Sequence, residues 1–429
     1  MHDVIIAGGG TVGCSLALAL SELTSLNIAI VEANAYDPLN TNASAKSAVS
    51  DMSDADSPQH PGFDARAIAL SRHSQQTLDS WGLNTAAIGT AIKYIKVSDQ
   101  GHLGQCTLDH RAQHQPALGY VVALQDLGQQ LQQALAAPAK KSQLHWYCPD
   151  QITQVEQQQH GISVKLSQGA ELQAKLLVVA DGAASPTAKL LGLEFEQQSY
   201  GQTALIANVG LSQSHQHWAY ERFTEFGPLA ILPLGEQRCS LVWSIAPERQ
   251  EEMLGLSDED FLAQLQQQFG QALGQFTHVG KRYCYPLSLT TAKTTLAHRA
   301  LVIGNAAQSL HPIAGQGFNL GLRDVAKLSL ILQQAEQQQR DIGEYNVLRE
   351  YQQQRQQDKR SIIQLTDGLV HLFSNQHWPL VMARNLGLTA MEMLPGAKQF
   401  FAAKAMGLHD QQLTSLAANQ STQAGDQNA

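Results

Sequence analysis

The chain has 429 residues, 43% of them hydrophobic and 15% charged, which suits a soluble globular protein of two or three packed units rather than one small core. A formal net charge of -9 with no basic stripe excludes the electrostatic footprint of a nucleic-acid binder. Five cysteines lie far apart with no C-x-x-C pair, which argues against a disulfide frame or a zinc site and for a reducing compartment.

In chain order, Val4 to Ala7 reads as a buried strand, Thr11 to Leu23 as a helix of small and aliphatic residues, and Ile28 to Val31 as a second strand. Strand, glycine turn, helix and strand make a βαβ unit of a parallel sheet. A strand this close to the first residue leaves no room for a signal peptide, and no stretch approaches the ~20 apolar residues of a membrane span. The expected location is therefore cytoplasmic, unless the protein rests on a membrane surface. Tyr36 to Phe63, full of Ser, Asp, Ala and Pro, reads as a long surface insertion. A helix is expected near Leu127 to Leu135, and Leu176 to Gly182 is a buried strand ending in an acid–glycine turn. Pro228 to Leu234 and Arg238 to Ser244 read as a hairpin in a separate sheet, and Arg299 to Leu328 is again strand, loop and helix. The rest is mostly helical, with glutamine-rich runs read as solvated helix faces. Ser415 to Ala429 reads as a disordered tail.

Gly8, Gly10 and Gly13 occupy the three glycine positions of G-x-G-x-x-G. They serve a tight turn, close approach of a phosphate and close helix–strand packing, and the helix N-terminus then offers free N–H groups to a pyrophosphate. Glu32 ends the second strand, about 20 residues on, where a carboxylate accepts both ribose hydroxyls and discourages a 2′-phosphate. NAD and FAD remain. The acid–glycine pair Asp181–Gly182 and a late loop, Gly304 to Asp324, decide between them, because only FAD has a ribityl chain and a flat ring reaching so far beyond its ADP half. Gly315 and Gly317 would admit the ring, and a helix beginning near Phe318 would point its N-terminus at the edge that becomes anionic on reduction. The polar pair Asn305 and Gln308 accompanies the loop.

With these three motifs in this order, the sequence resembles the FAD-dependent aromatic hydroxylases of the para-hydroxybenzoate hydroxylase type. "HPGFDARAIALS", "ERFTEFGPLAILPL", "RCSLVW" and "GNAAQSLHPIAGQGFNLGLRD" are similar to the ubiquinone-pathway branch, and most of all to members acting on polyprenylated methoxyphenols. The late motif departs from the family's usual Gly-Asp, having Asn305 for the acid and Gln308 for a histidine, a pair expected in that branch. Ala188 stands where relatives have Arg, and Leu124 where they have a polar flavin contact.

The resemblance implies an α/β fold with a Rossmann-like FAD-binding domain (1–75, 106–185 and 286–335), a substrate domain with a mostly antiparallel sheet (76–105 and 186–285), a C-terminal helical region (336–414) and the tail (415–429). It implies a monooxygenase that hydroxylates a 2-polyprenyl-6-methoxyphenol with O2 and reduced flavin by way of a C4a-hydroperoxyflavin. NAD(P)H or a redox partner would supply electrons, and other ubiquinone-pathway enzymes and the membrane surface are the partners implied. The alternatives are a flavin-dependent reductase of a prenyl lipid and an FAD-bound assembly subunit of a quinone-synthesis complex. The expected cofactor residues are Gly8, Gly10, Gly13, Glu32, Arg66, Asp181, Asn305, Gly315, Gln316, Gly317, Phe318 and Asn319. Pro312 and Ile313 would wall the reacting edge of the ring, and His311 would bear on substrate deprotonation or fix the loop. Phe223, Phe226 and Trp243 are candidate lining residues, and His215 and His217 read as a solvated pair without a metal. Leu369 to Leu394 is amphipathic enough to rest on a bilayer or a partner, with docking on the FAD-binding domain as the simpler expectation.

Overall fold

The computed structural model describes residues 1–35, 66–140, 142–373 and 378–394, with Gly396, Lys398, Ala402, Met406 and Gly407. The expected insertion at Tyr36 to Phe63 and the expected tail at Ser415 to Ala429 lie outside the described residues.

Alternation of short aliphatic strands with helices builds the first layer. His2–Ala7 pairs in parallel with Glu171–Val179 on one side and Ile28–Val31 on the other. Ala300–Val302 and Leu144–Tyr147 extend the parallel core outward. The strands are apolar on both faces because both faces are covered. Helices Thr11–Leu23 and Gln316–Gln337 pack on one face, where Leu16, Leu18, Leu20, Leu322, Val325 and Leu328 are fully or almost fully buried. The other face carries a smaller apolar cluster with Ile162 and Val164 from an antiparallel strand, Gly161–Leu166.

The second large sheet is mostly antiparallel, in the order Gln308–Ser309, Tyr283–Ala292, Phe195–Leu211, Arg238–Ile245, Gly227–Leu234, Trp218–Thr224, Tyr94–Asp99 and Gln105–Asp109. The expected hairpin is there, with Leu234 opposite Arg238 across a Gly235–Glu236–Gln237 turn. One face of this sheet packs on helix Asp258–Phe269 through Leu241, Trp243, Phe261 and Leu265. Its other face looks towards the first layer. A three-stranded sheet of Ala67–Ser71, Gly119–Ala123 and Thr90–Ile92 lies between the two.

Two long helices close the described chain, Tyr345–Phe373 and Trp378–Met393. The second is pinned to the antiparallel sheet by a buried ion pair, Arg384 Nε to Asp99 Oδ2 at 2.8 Å, and by Asn385 Nδ2 donating to the same carboxylate. The glutamine-rich run in the first helix is not wholly solvated as expected. Tyr351, Arg355 and Lys359, spaced four apart, are buried against helix Gln316–Gln337. Arg355 Nε donates to Asp324 Oδ1 at 2.9 Å, and Lys359 Nζ lies 3.1 Å from Asp324 Oδ2. Among the described residues no helix is long and apolar enough to cross a membrane.

Candidate active site

One cavity of about 760 Å³ runs between the layers and collects most of the motif residues. At one end Gly8, Gly10, Thr11, Val12, Glu32, Asp181 and Gly182 line it; further along come Arg66, Asn305, Pro312, Ile313, Gly315, Gly317 and Phe318. Beyond these the walls are apolar, with Ile95, Val97, Ile206, Phe223 and Val242 from the antiparallel sheet and Leu369, Phe373, Leu388 and Met391 from the last two helices.

The glycine turn is compelled by sterics. Gly8 has φ +104°, and a Cβ there would stand 2.6 Å from the Ala180 carbonyl oxygen. A Cβ on Gly13 would lie 1.9 Å from the Gly8 oxygen, so only glycine lets helix Thr11–Leu23 start this close to the strand before it. That helix has Gly10 at its N-cap, with no side-chain cap and no acid in its first turn. Helix Gln316–Gln337 begins the same way, capped by Gly315 in the left-handed region at φ 62°. Two helix N-termini without side-chain caps, each with partial positive charge, thus open on one cavity. This pairing suits a ligand with negative charge at two separated places.

The acids divide the work. Glu32 follows the second strand, and its Oε2 accepts from Gly9 N at 2.7 Å while Oε1 accepts from Asn34 N at 2.7 Å. The carboxylate is thereby held in place at the cavity wall. Asp181 Oδ2 accepts from Thr187 N at 3.2 Å, whereas its buried Oδ1 has no partner among the described residues. A buried carboxylate oxygen without a donor is costly, and one left so at a cavity wall calls for a ligand hydroxyl or N–H.

Several expected residues sit elsewhere. His311 is fully buried and does not line the cavity: its Nδ1 accepts from Ile313 N at 3.2 Å, which leaves Nε2–H to donate to Gln202 Oε1 at 3.0 Å. Burial pushes its pKa down to about 4, so it is a neutral pin for the Pro312 loop and not a cavity base. Asn319 lines the wall, but its amide is spent on protein, Oδ1 accepting from Ser71 N and Nδ2 donating to the Ala69 and Gly315 carbonyls. It ties the small sheet to the glycine bend. Gln316 is not among the lining residues. Gln308 points away from the cavity and donates to Asp324 Oδ2 at 3.2 Å, an oxygen that also accepts from Gly304 N. The Asp324–Arg355–Lys359 cluster therefore braces the loop carrying Asn305 from behind. Burial alone would raise the Asp324 pKa, but Lys359 and Arg355 hold it below the usual carboxylate value.

Of the aromatic candidates only Phe223 lines the cavity, stacked on Phe373 with ring centroids 3.6 Å apart. Trp243 belongs to the opposite face, beside Phe261, and Phe226 is solvent-exposed. His215 and His217 are not a solvated pair, since their rings bond the Gly235 and Ala91 carbonyls at 2.7 and 3.0 Å. No group of His, Cys, Asp or Glu among the described residues could hold a metal.

Sequence reasoning missed Glu221, which lines the apolar part of the cavity, and the Asp324 cluster. Strand alternation in "WAYERFT" carried the first signal, and the fourfold spacing of Tyr351, Arg355 and Lys359 amid glutamines the second.

A family model described as FAD binding domain matches residues 1–366. The chain belongs to this family. It is an FAD-dependent monooxygenase, and the glycine turn, the half-satisfied Asp181 and the two bare helix ends suit FAD. The ubiquinone hydroxylase UbiL of Rhodospirillum rubrum is 35% identical over 94% of this chain and 89% of its own length. The 3-demethoxyubiquinol 3-hydroxylase of Escherichia coli is 29% identical over 95% and 98%. The solved structure of p-nitrophenol 4-monooxygenase PnpA from Pseudomonas putida superposes with a TM-score of 0.73 at 16% identity, covering 95% of this chain and 98% of that one, and so shows the shared fold.

Proposed function

We propose that this FAD-dependent monooxygenase hydroxylates the aromatic ring of a polyprenylated phenol, a 2-polyprenyl-6-methoxyphenol, in ubiquinone biosynthesis. The observation that carries the reading is the continuity of the cavity: the stretch lined by the glycine motifs opens directly into an apolar chamber. Chemistry of the cofactor needs dioxygen, electrons from NAD(P)H or a redox partner, and a ring with an electron-releasing oxygen; FAD, once bound and reduced, activates the dioxygen. The chain's own residues bind, orient and exclude water. The turn at Gly8 to Gly13 and the carboxylate of Glu32 would hold the adenosine diphosphate end, Asp181 and Asn305 would meet the sugar-alcohol chain, and the bend at Pro312 to Phe318 would receive the ring. Ile95, Val97, Ile206, Phe223 and Val242 keep water from the reacting atoms and leave a greasy path for a prenyl tail.

The same reading places the protein on the inner face of the cytoplasmic membrane. Helix Trp378–Met393 turns Leu388 and Met391 towards the cavity, while Trp378, Met382, Leu386 and Met393 form an exposed apolar stripe. A lipid-borne substrate would enter beside that helix.

The test is deletion of the gene followed by mass spectrometry of accumulated quinone precursors. Build-up of the polyprenyl methoxyphenol supports the proposal, and a precursor lacking the methoxy group reassigns the ring position. Label from ¹⁸O2 entering the product separates a hydroxylase from a prenyl-lipid reductase.

A further inference from the structure

Glu221 stands in the middle of the antiparallel sheet's cavity face. It lies opposite Val97 on one neighbouring strand and Ala230 on the other. Ala230 in turn faces Val242, and Val242 faces Ile206. All five line the cavity, so a single cross-strand row reads Val, Glu, Ala, Val, Ile. Two residues away along the same strand, Ala219 and Phe223 share that face. The row is an apolar wall with one carboxyl in it. Glu221 is half-buried at the cavity face, and its Oε1 is buried with no hydrogen-bond partner among the described residues.

An apolar strand position that merely covers the cavity has no use for glutamate. Burying a carboxyl without a partner is expensive in any protonation state, and such a group is kept where a ligand completes it. Burial pushes the Glu221 pKa up to about 8, so at neutral pH the group is an uncharged acid with one O–H donor and one carbonyl acceptor. That is the complement of a phenol hydroxyl, which also gives one hydrogen bond and takes another.

Among the described residues no counter-ion serves it within the wall. Its cross-strand neighbours are uncharged, and Asp99, further along the face, is committed to Arg384. The other titratable groups lining the cavity are Glu32, Arg66, Cys106, Asp150, Asp181 and Tyr220. The Cys106 thiol is itself pushed up to about 11 by burial, and the Tyr220 phenol is raised for the same reason, so neither ionises near pH 8.

We propose that Glu221 is the residue that recognises the substrate's ring hydroxyl, its carboxyl exchanging hydrogen bonds with the phenol in an otherwise apolar chamber. The proposal rests on the phenol reading above and deepens it, because it names the group that selects a hydroxylated ring over a bare one. No bond is made or broken in this step; the carboxyl donates to the phenol oxygen and accepts from the phenol O–H. Specificity follows from the cost of leaving a buried polar group unpaired.

The experiment titrates the FAD-loaded protein with 2-methoxyphenol and, in parallel, with methoxybenzene, reading the shift in the flavin absorbance band. The wild type should prefer 2-methoxyphenol by roughly tenfold, the size of one net hydrogen bond in a buried site. Glu221→Leu should bind the two probes equally while holding FAD with an unchanged dissociation constant. Glu221→Gln, which keeps the shape and both hydrogen-bonding roles, should retain the preference. A Glu221→Leu protein that still discriminates as the wild type does overturns the inference and leaves the phenol reading standing. A wild type that binds FAD but neither probe overturns both.

Discussion

Gly317 offers the sharpest separation between a glycine required by packing and one required by a ligand. A Cβ built there meets nothing within 4 Å, and its φ lies outside the left-handed region. The position is in the first turn of helix Gln316–Gln337, where alanine is preferred to glycine by up to about 1 kcal/mol. Gly317→Ala should therefore leave the apoprotein at least as stable as the wild type. Yet Gly317 lines the cavity, so the added methyl projects into the space that the proposed function assigns to the flavin ring. Forcing one methyl group into a closely packed contact costs about 1–3 kcal/mol. At 1.36 kcal/mol per decade that weakens FAD binding roughly 5- to 150-fold. Gly13→Ala is the contrasting case, since its Cβ would overlap the Gly8 oxygen at 1.9 Å and push helix and strand apart without any ligand present. It should lower both apoprotein stability and FAD affinity. Thermal unfolding of the apoproteins and calorimetric titration with FAD give the two numbers. A Gly317→Ala protein that binds FAD as tightly as the wild type would refute the claim that this backbone is bare for the coenzyme's sake.

Three further outcomes follow from the buried charges. Replacing Arg355 by Ala takes the 2.9 Å partner from Asp324 Oδ1 while Lys359 stays 3.1 Å from Oδ2, and should cost about 1.5–3 kcal/mol in urea unfolding, the worth of one buried hydrogen bond to a charged group; restoration of that loss by an added Asp324→Asn change would show that the cluster is a coupled unit. Glu221 has a folded-state pKa of about 8, above its unfolded value near 4.3, so its contribution is fully present below about pH 4.3 and is lost as pH rises through about 8, at most about 1.4 kcal/mol per pH unit. Glu221→Gln should flatten that limb of the stability curve, and an unchanged slope would count against the buried acid. His311 runs the other way: with a folded value of about 4 against 6.5 unfolded, its contribution is present above pH 6.5 and fades as pH falls towards 4, and a His311→Gln protein measured by the same unfolding series should lack that acid limb.

Much of the cofactor end was legible one residue at a time. Helix Thr11–Leu23 and strand Ile28–Val31 appear with the bounds expected from the sequence, because a glycine turn between two apolar runs leaves the local chain few alternatives. Proximity in sequence also made the place of Glu32 readable, since it follows the strand that the turn feeds. What could not be read locally were choices between the two faces of an element. Trp243 and Val242 are neighbours on one strand, yet the pleat sends Val242 to the cavity and Trp243 to the core beneath helix Asp258–Phe269. Gln308 and Asn305 share a loop, and only the arrival of Arg355 and Lys359 from a distant helix draws Gln308 to the back while Asn305 stays in front.

The sequence by itself determined the βαβ dinucleotide unit, the hairpin and the order of the three cofactor motifs, for these depend on turn sterics and on hydrophobic period over a few residues. Tertiary structure alone decided that motifs some 300 residues apart share one cavity, that His311 bonds Gln202 and Ile313 and stays off the cavity wall, and that Glu221 stands in a cross-strand row of apolar residues. The physical reason is that burial belongs to the packed sheet and not to the strand. Whether a carboxyl meets water, a counter-ion or an empty apolar chamber is fixed by elements that the local chain cannot specify.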